Sequence, residues 1–185
     1  MVDDPRAART RALLRAALLA ECTGRSLDEV SVAALVRRAG VGRATFYLHY
    51  QDLRSLAVDA CAQVVTDAVE ALHAWRGVPD PSSAPAALVQ FFEEVGAHAQ
   101  LYRALLAPSS GGPLGARLRH ELSERSASER RLAGAPEPEL VGAAVAGAFT
   151  GVLADWLGGV ILGAPDEVAN RSWRLLLAMH RVPLG

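Results

Sequence analysis

Four clusters of glycine and proline cut this chain into pieces that can hardly be anything but helices. They are Gly77-Val78-Pro79-Asp80-Pro81, Pro108 to Pro113, Gly134 to Pro138, and Gly163-Ala164-Pro165. Proline lacks the backbone donor that a helix interior or a central strand needs, so such clusters punctuate a fold. Between them, apolar residues recur at spacings of three and four. Nowhere do β-branched residues alternate with polar ones between hairpin turns. The pattern predicts an all-α protein of about nine helices.

The first helix is expected from about Arg6 to Cys22, where Leu14, Ala17, Leu18 and Cys22 form one apolar stripe. The second follows Ser31, an N-cap residue, and runs to Ala39. The third spans Arg43 to His49, and the fourth follows Asp52 and reaches about Trp75. Further helices are expected at 84–107, with a break near Gly96 or Ala99, then at 114–133, 137–158 and 166–180, the last capped by Asp166.

Ser31 to Tyr50 is the segment that carries chemistry. It reads as helix, tight glycine turn, short helix. Gly40 supplies the positive φ that the turn needs. With Gly42 as N-cap, Val41 and Phe46 stand at the spacing of a hydrophobic staple. On a wheel of about 100° per residue, Phe46, Tyr50 and Leu53 share one face. Ala44 and Leu48 fall opposite, flanked by Thr45 and Tyr47, with Arg43 at the helix start. A small residue at Ala44 lets a helix approach base edges. The hydroxyls of Thr45 and Tyr47 suit phosphates or bases, Leu48 suits a thymine methyl, and Arg43 suits phosphate or guanine. Ser31 heads a helix whose N–H groups can meet a phosphate, and His49 can donate to one.

These residues resemble the TetR family of bacterial repressors. The likeness runs through Thr10 to Glu21, Ser31-Val32, Leu35 to Val41, Arg43 to Tyr50, and Leu56, about a third of the chain. It implies a homodimer with a small helix-turn-helix domain, residues 1–52 (motif about 31–50), and a larger helical ligand-binding and dimerising domain, residues 53–185. Double-stranded operator DNA and a small-molecule effector are the implied partners. The family often has Ser or Thr where Gly42 stands, Lys where Leu53 stands and an aromatic where Leu48 stands. Arg54, beside Leu53, is the expected replacement for the lysine contact.

Ala146 to Leu157 looks like the family's penultimate helix, which pairs with its copy across the dimer. Gly142, Gly147 and Gly151 permit close helix approach, and a helix apolar on all sides should be buried on all sides. Gly147, Gly151, Trp156, Trp173 and Leu177 are the candidates for that interface. The family's pocket lies among the helices between the DNA-binding and dimerising parts. By residue type its candidates are Trp75, Phe91, Phe92, His98, Tyr102, Phe149 and Trp156, which suit an apolar or aromatic effector.

Composition fits this reading. Of 185 residues, 51% are hydrophobic, enough for a sizeable core. The formal net charge is -1, but it is unevenly spread. Residues 1–54 hold nine Arg against six Asp/Glu; residues 55–185 hold ten against fourteen. Cys22 and Cys61 are far apart and read as buried free thiols. Leu140 to Gly163 is long enough to span a bilayer, yet Asp155 and several glycines interrupt it, so a buried helix is expected rather than a membrane span. Met1 to Arg15 has no apolar run of signal-peptide type, which suggests a cytoplasmic protein. No P-loop, G-x-S-x-G, H-E-x-x-H or strand-borne G-x-G-x-x-G is present, so neither an enzyme nor a cofactor is expected. The alternative is a helical binding or scaffold protein of the same fold without DNA recognition.

Overall fold

The computed structural model describes residues 4–74, 80–106 and 112–181. Among these the regular structure is helical throughout. The elements are α1 (Pro5–Glu21), a 3-10 turn (Leu27–Glu29), α2 (Val32–Ala39), α3 (Arg43–His49), α4 (Leu53–Ala74), α5 (Ala86–Ala97), α6 (Ala99–Leu106), α7 (Pro113–Leu132), α8 (Pro138–Leu157) and α9 (Pro165–Arg181).

Local chemistry explains the boundaries. Pro5, Pro113, Pro138 and Pro165 each open a helix, where the missing N–H costs nothing. Asp4 accepts from the Arg6 amide at 2.9 Å, Ser31 from Ala34 at 3.1 Å, and Asp52 from Ser55 at 2.7 Å. The Glu29 carboxylate accepts from the Ser26 amide and hydroxyl, which holds it below the usual carboxylate range. Gly40 has φ 67°, and the Val41 amide donates back to Val36 at 3.0 Å, closing α2 in a Schellman turn.

Helix α1 packs across α2, α3 and α4, while α4 runs on to meet α5, α6 and α7. Helices α7 and α8, joined by a short loop, pack together more extensively than any other described pair. Gly142 makes this possible. A β-carbon there would sit 2.7 Å from the Ser123 carbonyl oxygen and 3.1 Å from the Ala127 nitrogen. Helix α9 lies on α5 and α8. Buried side chains from Leu14 to Ala169 form one contiguous cluster.

The break expected near Gly96 or Ala99 falls at His98, beside Ala99, and Gly96 lies against the Trp156 ring. Two expectations change. Asp166 does not cap α9: the helix starts one residue earlier, and Glu167 accepts from the Ala164 amide at 3.0 Å. Helix α8 is long and apolar enough to cross a bilayer by length and composition, but it is not buried on all sides. One side packs on α7 and α9, while Leu140, Ala144, Gly147, Gly151 and Ala154 leave the other open. The open side carries mostly small residues, so little apolar area is left bare within one chain.

Candidate nucleic-acid interface and ligand cavity

Helix α3 is held by one face only. Phe46 is fully buried and Tyr50, just past the helix end, is nearly so. Their rings lie 6.1 Å apart, and Tyr47 meets Phe46 edge-on at 5.1 Å. On the outer face Leu48 is 82% exposed and Tyr47 49%, with Arg43 and Ala44 exposed beside them. Leu48 gains nothing from the chain's own core, where burial of a leucine side chain is worth about 1.5–3 kcal/mol. The Arg43 guanidinium stands 5.8 Å from the centre of the Tyr47 ring, so the two side chains brace each other. Thr45 and His49 are half-buried at the edges; Ser31 and Arg54 are exposed at the starts of α2 and α4. The eight residues singled out in the sequence thus cluster on α3 and the two helix starts beside it.

Not all the nearby basic charge faces outward. Arg38 and Arg25 both pair with Glu21 of α1, and Arg38 above all holds that carboxyl below its ordinary value. Arg37 and Arg43 are exposed, and Arg37 also helps to lower the Glu21 carboxyl.

Behind α3, sequence reasoning missed a polar knot. The Tyr50 hydroxyl donates to Asp59 Oδ2 at 2.6 Å, and Arg15 reaches the same oxygen at 3.2 Å. Arg117 of α7 stands 3.5 Å from Asp59 Oδ1 and pairs with Glu121 at 2.8 Å. Burial, then the Asp59 contact, raises the Tyr50 phenol well above its usual range, so the hydroxyl stays a donor. The end of α3 is therefore tied through α4 to α7. A second tie is His98, with Nε2 3.1 Å from the Leu19 carbonyl of α1 and Nδ1 3.0 Å from that of Glu94. The one sequence signal was an isolated acid, Asp59, inside the apolar run Leu56 to Val65.

Farther along, α4, α7, α8 and α9 line a half-open cavity of about 260 Å³. Its walls include Val69 and Leu72 of α4, Leu122 and Ser126 of α7, and Val145 of α8, with Trp173, Leu176 and Leu177 of α9 closing it. A chamber of about 80 Å³ adjoins it through shared Val69, Leu122 and Val145, and Phe91 and Phe149 line its far side. An open, mixed-charge cleft of about 650 Å³ lies alongside, bordered by Arg117, Glu121 and Arg125.

The pocket candidates divide. Phe91 and Phe149 reach the chamber. Phe92 packs instead against Phe149 and the Trp156 ring, at 6.1 and 5.4 Å; Tyr102 is fully buried near Cys61; His98 spends both ring nitrogens on carbonyls. Trp75 lies outside the described residues. The interface candidates divide as well. Gly147 and Gly151 lie on the open side of α8 with nothing within 4 Å of where a β-carbon would be. Trp156 turns to Gly96 of α5, Trp173 donates to the Asp80 carbonyl at 2.9 Å, and Leu177 lines the cavity. Large apolar side chains gain more from the chain's own interior than from a face left open mostly by glycine and alanine.

A helical body with a short helix held out on one side defines a class of folds. No family model and no curated protein matches the sequence. Solved structures do. The chain is similar to a TetR-family transcriptional regulator from Streptomyces coelicolor, with TM-score 0.59 and 20% identity over 92% of this chain and 79% of that one. It is also similar to a protein of Mesorhizobium loti MAFF303099 described as a TetR-family transcriptional regulator, with TM-score 0.57 and 17% identity over 95% of this chain and 97% of that one. The fold is thus that of TetR-family regulators.

Proposed function

We propose that this protein is a cytoplasmic, homodimeric, DNA-binding transcriptional regulator, a repressor released from its operator by a small apolar molecule. One observation carries the reading: α3 buries Phe46 completely while holding Tyr47 and the 82%-exposed Leu48 outward beside Arg43. That face costs apolar hydration with no return inside the chain, and a major groove offers the return. Residues 1–52 make up the DNA-binding part and 53–185 the regulatory part. Two copies joined through the open side of α8 would set two α3 helices into successive grooves, with half-site centres about 34–36 Å apart.

Helix α4 supports the ligand response, because it carries Asp59 under the end of α3 and Val69 and Leu72 in the cavity wall. A ligand that tilts α4 changes the spacing of the two α3 helices. Coupling of about 1–3 kcal/mol changes operator affinity roughly 5- to 150-fold.

The test begins with selection of bound fragments from genomic DNA, followed by gel shifts. Arg43→Ala and Tyr47→Ala should each weaken binding by about 1–3 kcal/mol while the dimer persists. Wild-type affinity in both variants would sink the assignment of this face. Affinity that falls steeply with salt separates the regulator from a scaffold of the same fold.

A further inference from the structure

The cavity among α4, α7, α8 and α9 is mostly apolar, and one polar atom in its wall has no partner among the described residues. Ser126 of α7 lines it and is 9% exposed, yet its hydroxyl oxygen is buried without a hydrogen-bond partner. Buried hydroxyls are nearly always paired, because an unpaired one has lost its water and gained nothing. The other neutral polar group in the lining is already used: the Trp173 indole N–H donates to the Asp80 carbonyl. The charged residues of the described lining are Arg125 and Glu129, which stand 3.5 Å apart as a half-exposed ion pair. Their charges cancel, so the site offers no net field to an ion, and an ion would lose its hydration on entry.

We propose that this cavity binds a neutral small molecule made of an apolar ring or fused pair of rings bearing one hydrogen-bonding group, and that Ser126 Oγ is the partner of that group. The size fits. An apolar cavity of about 150 Å³ holds one benzene, whereas 260 Å³ with an 80 Å³ extension leaves room for a second ring or a short chain. The walls fit too, with Trp173 on one side and Phe91 and Phe149 at the far end of the extension. Val69 and Leu72 put the occupant against α4. The inference names the chemical class of the effector proposed above and rests on that reading for its regulatory meaning, though not for binding.

Calorimetric titration of the full chain with 4-propylphenol and with propylbenzene tests it. The two probes differ by a single hydroxyl. The wild type should bind both, the phenol about 3- to 10-fold more tightly, the range expected for one hydrogen bond. Ser126→Ala should bind propylbenzene as before and lose the preference for the phenol. It should also melt no lower than the wild type, because the hydroxyl it removes is unpaired. Val145→Trp fills the cavity and should bind neither probe; if it does not fold, Leu177→Trp makes the same test from the opposite wall. A wild type that binds neither probe up to its solubility limit overturns the proposal, as does a preference for the phenol that survives in Ser126→Ala. Gel shifts on the same preparations keep the two readings apart. Probe binding without any change in DNA retention upholds the cavity and counts against ligand release; DNA retention in a protein that binds neither probe upholds the DNA-binding reading and overturns the cavity's.

Discussion

Helices α3 and α8 each leave one face open, and they do it with opposite side chains. On α3 the open face carries Arg43, Tyr47 and Leu48, long groups that stand off the backbone. On α8, past Leu140 in the first turn, it carries Ala144, Gly147, Gly151 and Ala154, which bring the backbone itself to the surface. Long side chains suit a partner read at a distance, such as the floor of a groove. Small ones suit another helix that must lie close. A bare face by itself says only that something is missing; the size of its residues says what kind of surface would fill it.

The sharpest way to break the first half of that comparison is inside α3. Phe46→Ala removes a ring with no exposure and should cost about 3–5 kcal/mol in chemical denaturation. Leu48→Ala, two residues on, should stay within about 0.5 kcal/mol. A large loss at Leu48 would mean that the outward face belongs to the core.

The two cysteines sit close together in the core, near enough for Cys22 to raise the Cys61 thiol further, yet they differ chemically. Burial pushes the Cys61 thiol on α4 up to about 12, and the same effect raises Cys22 at the end of α1, opposed there by Arg25. The thiolate is the reactive form, so at pH 8 Cys61 is almost wholly unreactive in the closed fold. Alkylation followed by mass spectrometry should therefore mark Cys22 first and Cys61 only when α4 opens. Equal rates at the two sites would show that one shared opening exposes both thiols.

The glycines of α8 test the second half. Gly142→Ala drives a β-carbon to 2.7 Å from the Ser123 carbonyl and should cost about 1–3 kcal/mol. Gly147→Ala meets nothing within 4 Å and should stabilise a single chain by up to about 1 kcal/mol through helix propensity. Gly147→Trp should fold yet sediment as a monomer. A dimer that survives that change places the interface elsewhere.

What the sequence revealed and hid follows the same division. Ser31, Gly40, Phe46 and Tyr50 could be placed because caps, turns and one helix face are local matters, settled within a few residues. The fold as a whole was readable for the same reason, through its breakers and its spacing of three and four. The Asp59 knot joins residues 44 and 58 positions apart, and the cavity needs four helices, so no local window contains either. Aromatic residues were a poor guide to the cavity, since Phe92 and Tyr102 are used as packing. The unpaired hydroxyl of Ser126, which marks the cavity best, is visible only after folding.

The smallest expected effect sits at the junction of these arguments. Gly42 caps α3 with φ -74° and ψ 151°, an extended conformation open to any residue, and no side chain accepts from the first turn. A β-carbon there would meet only Thr45 Oγ1, at 3.5 Å. Gly42→Ser therefore fits without strain and supplies the missing acceptor, for a gain of a few tenths of a kcal/mol, about the difference between glycine and serine as N-caps. The same hydroxyl would stand at the rim of the α3 face, within reach of a phosphate. If α3 lies in a groove, operator affinity should rise more than stability does. If the two rise together, or stability alone rises, the serine is only a cap, and the start of α3 does not touch the DNA backbone.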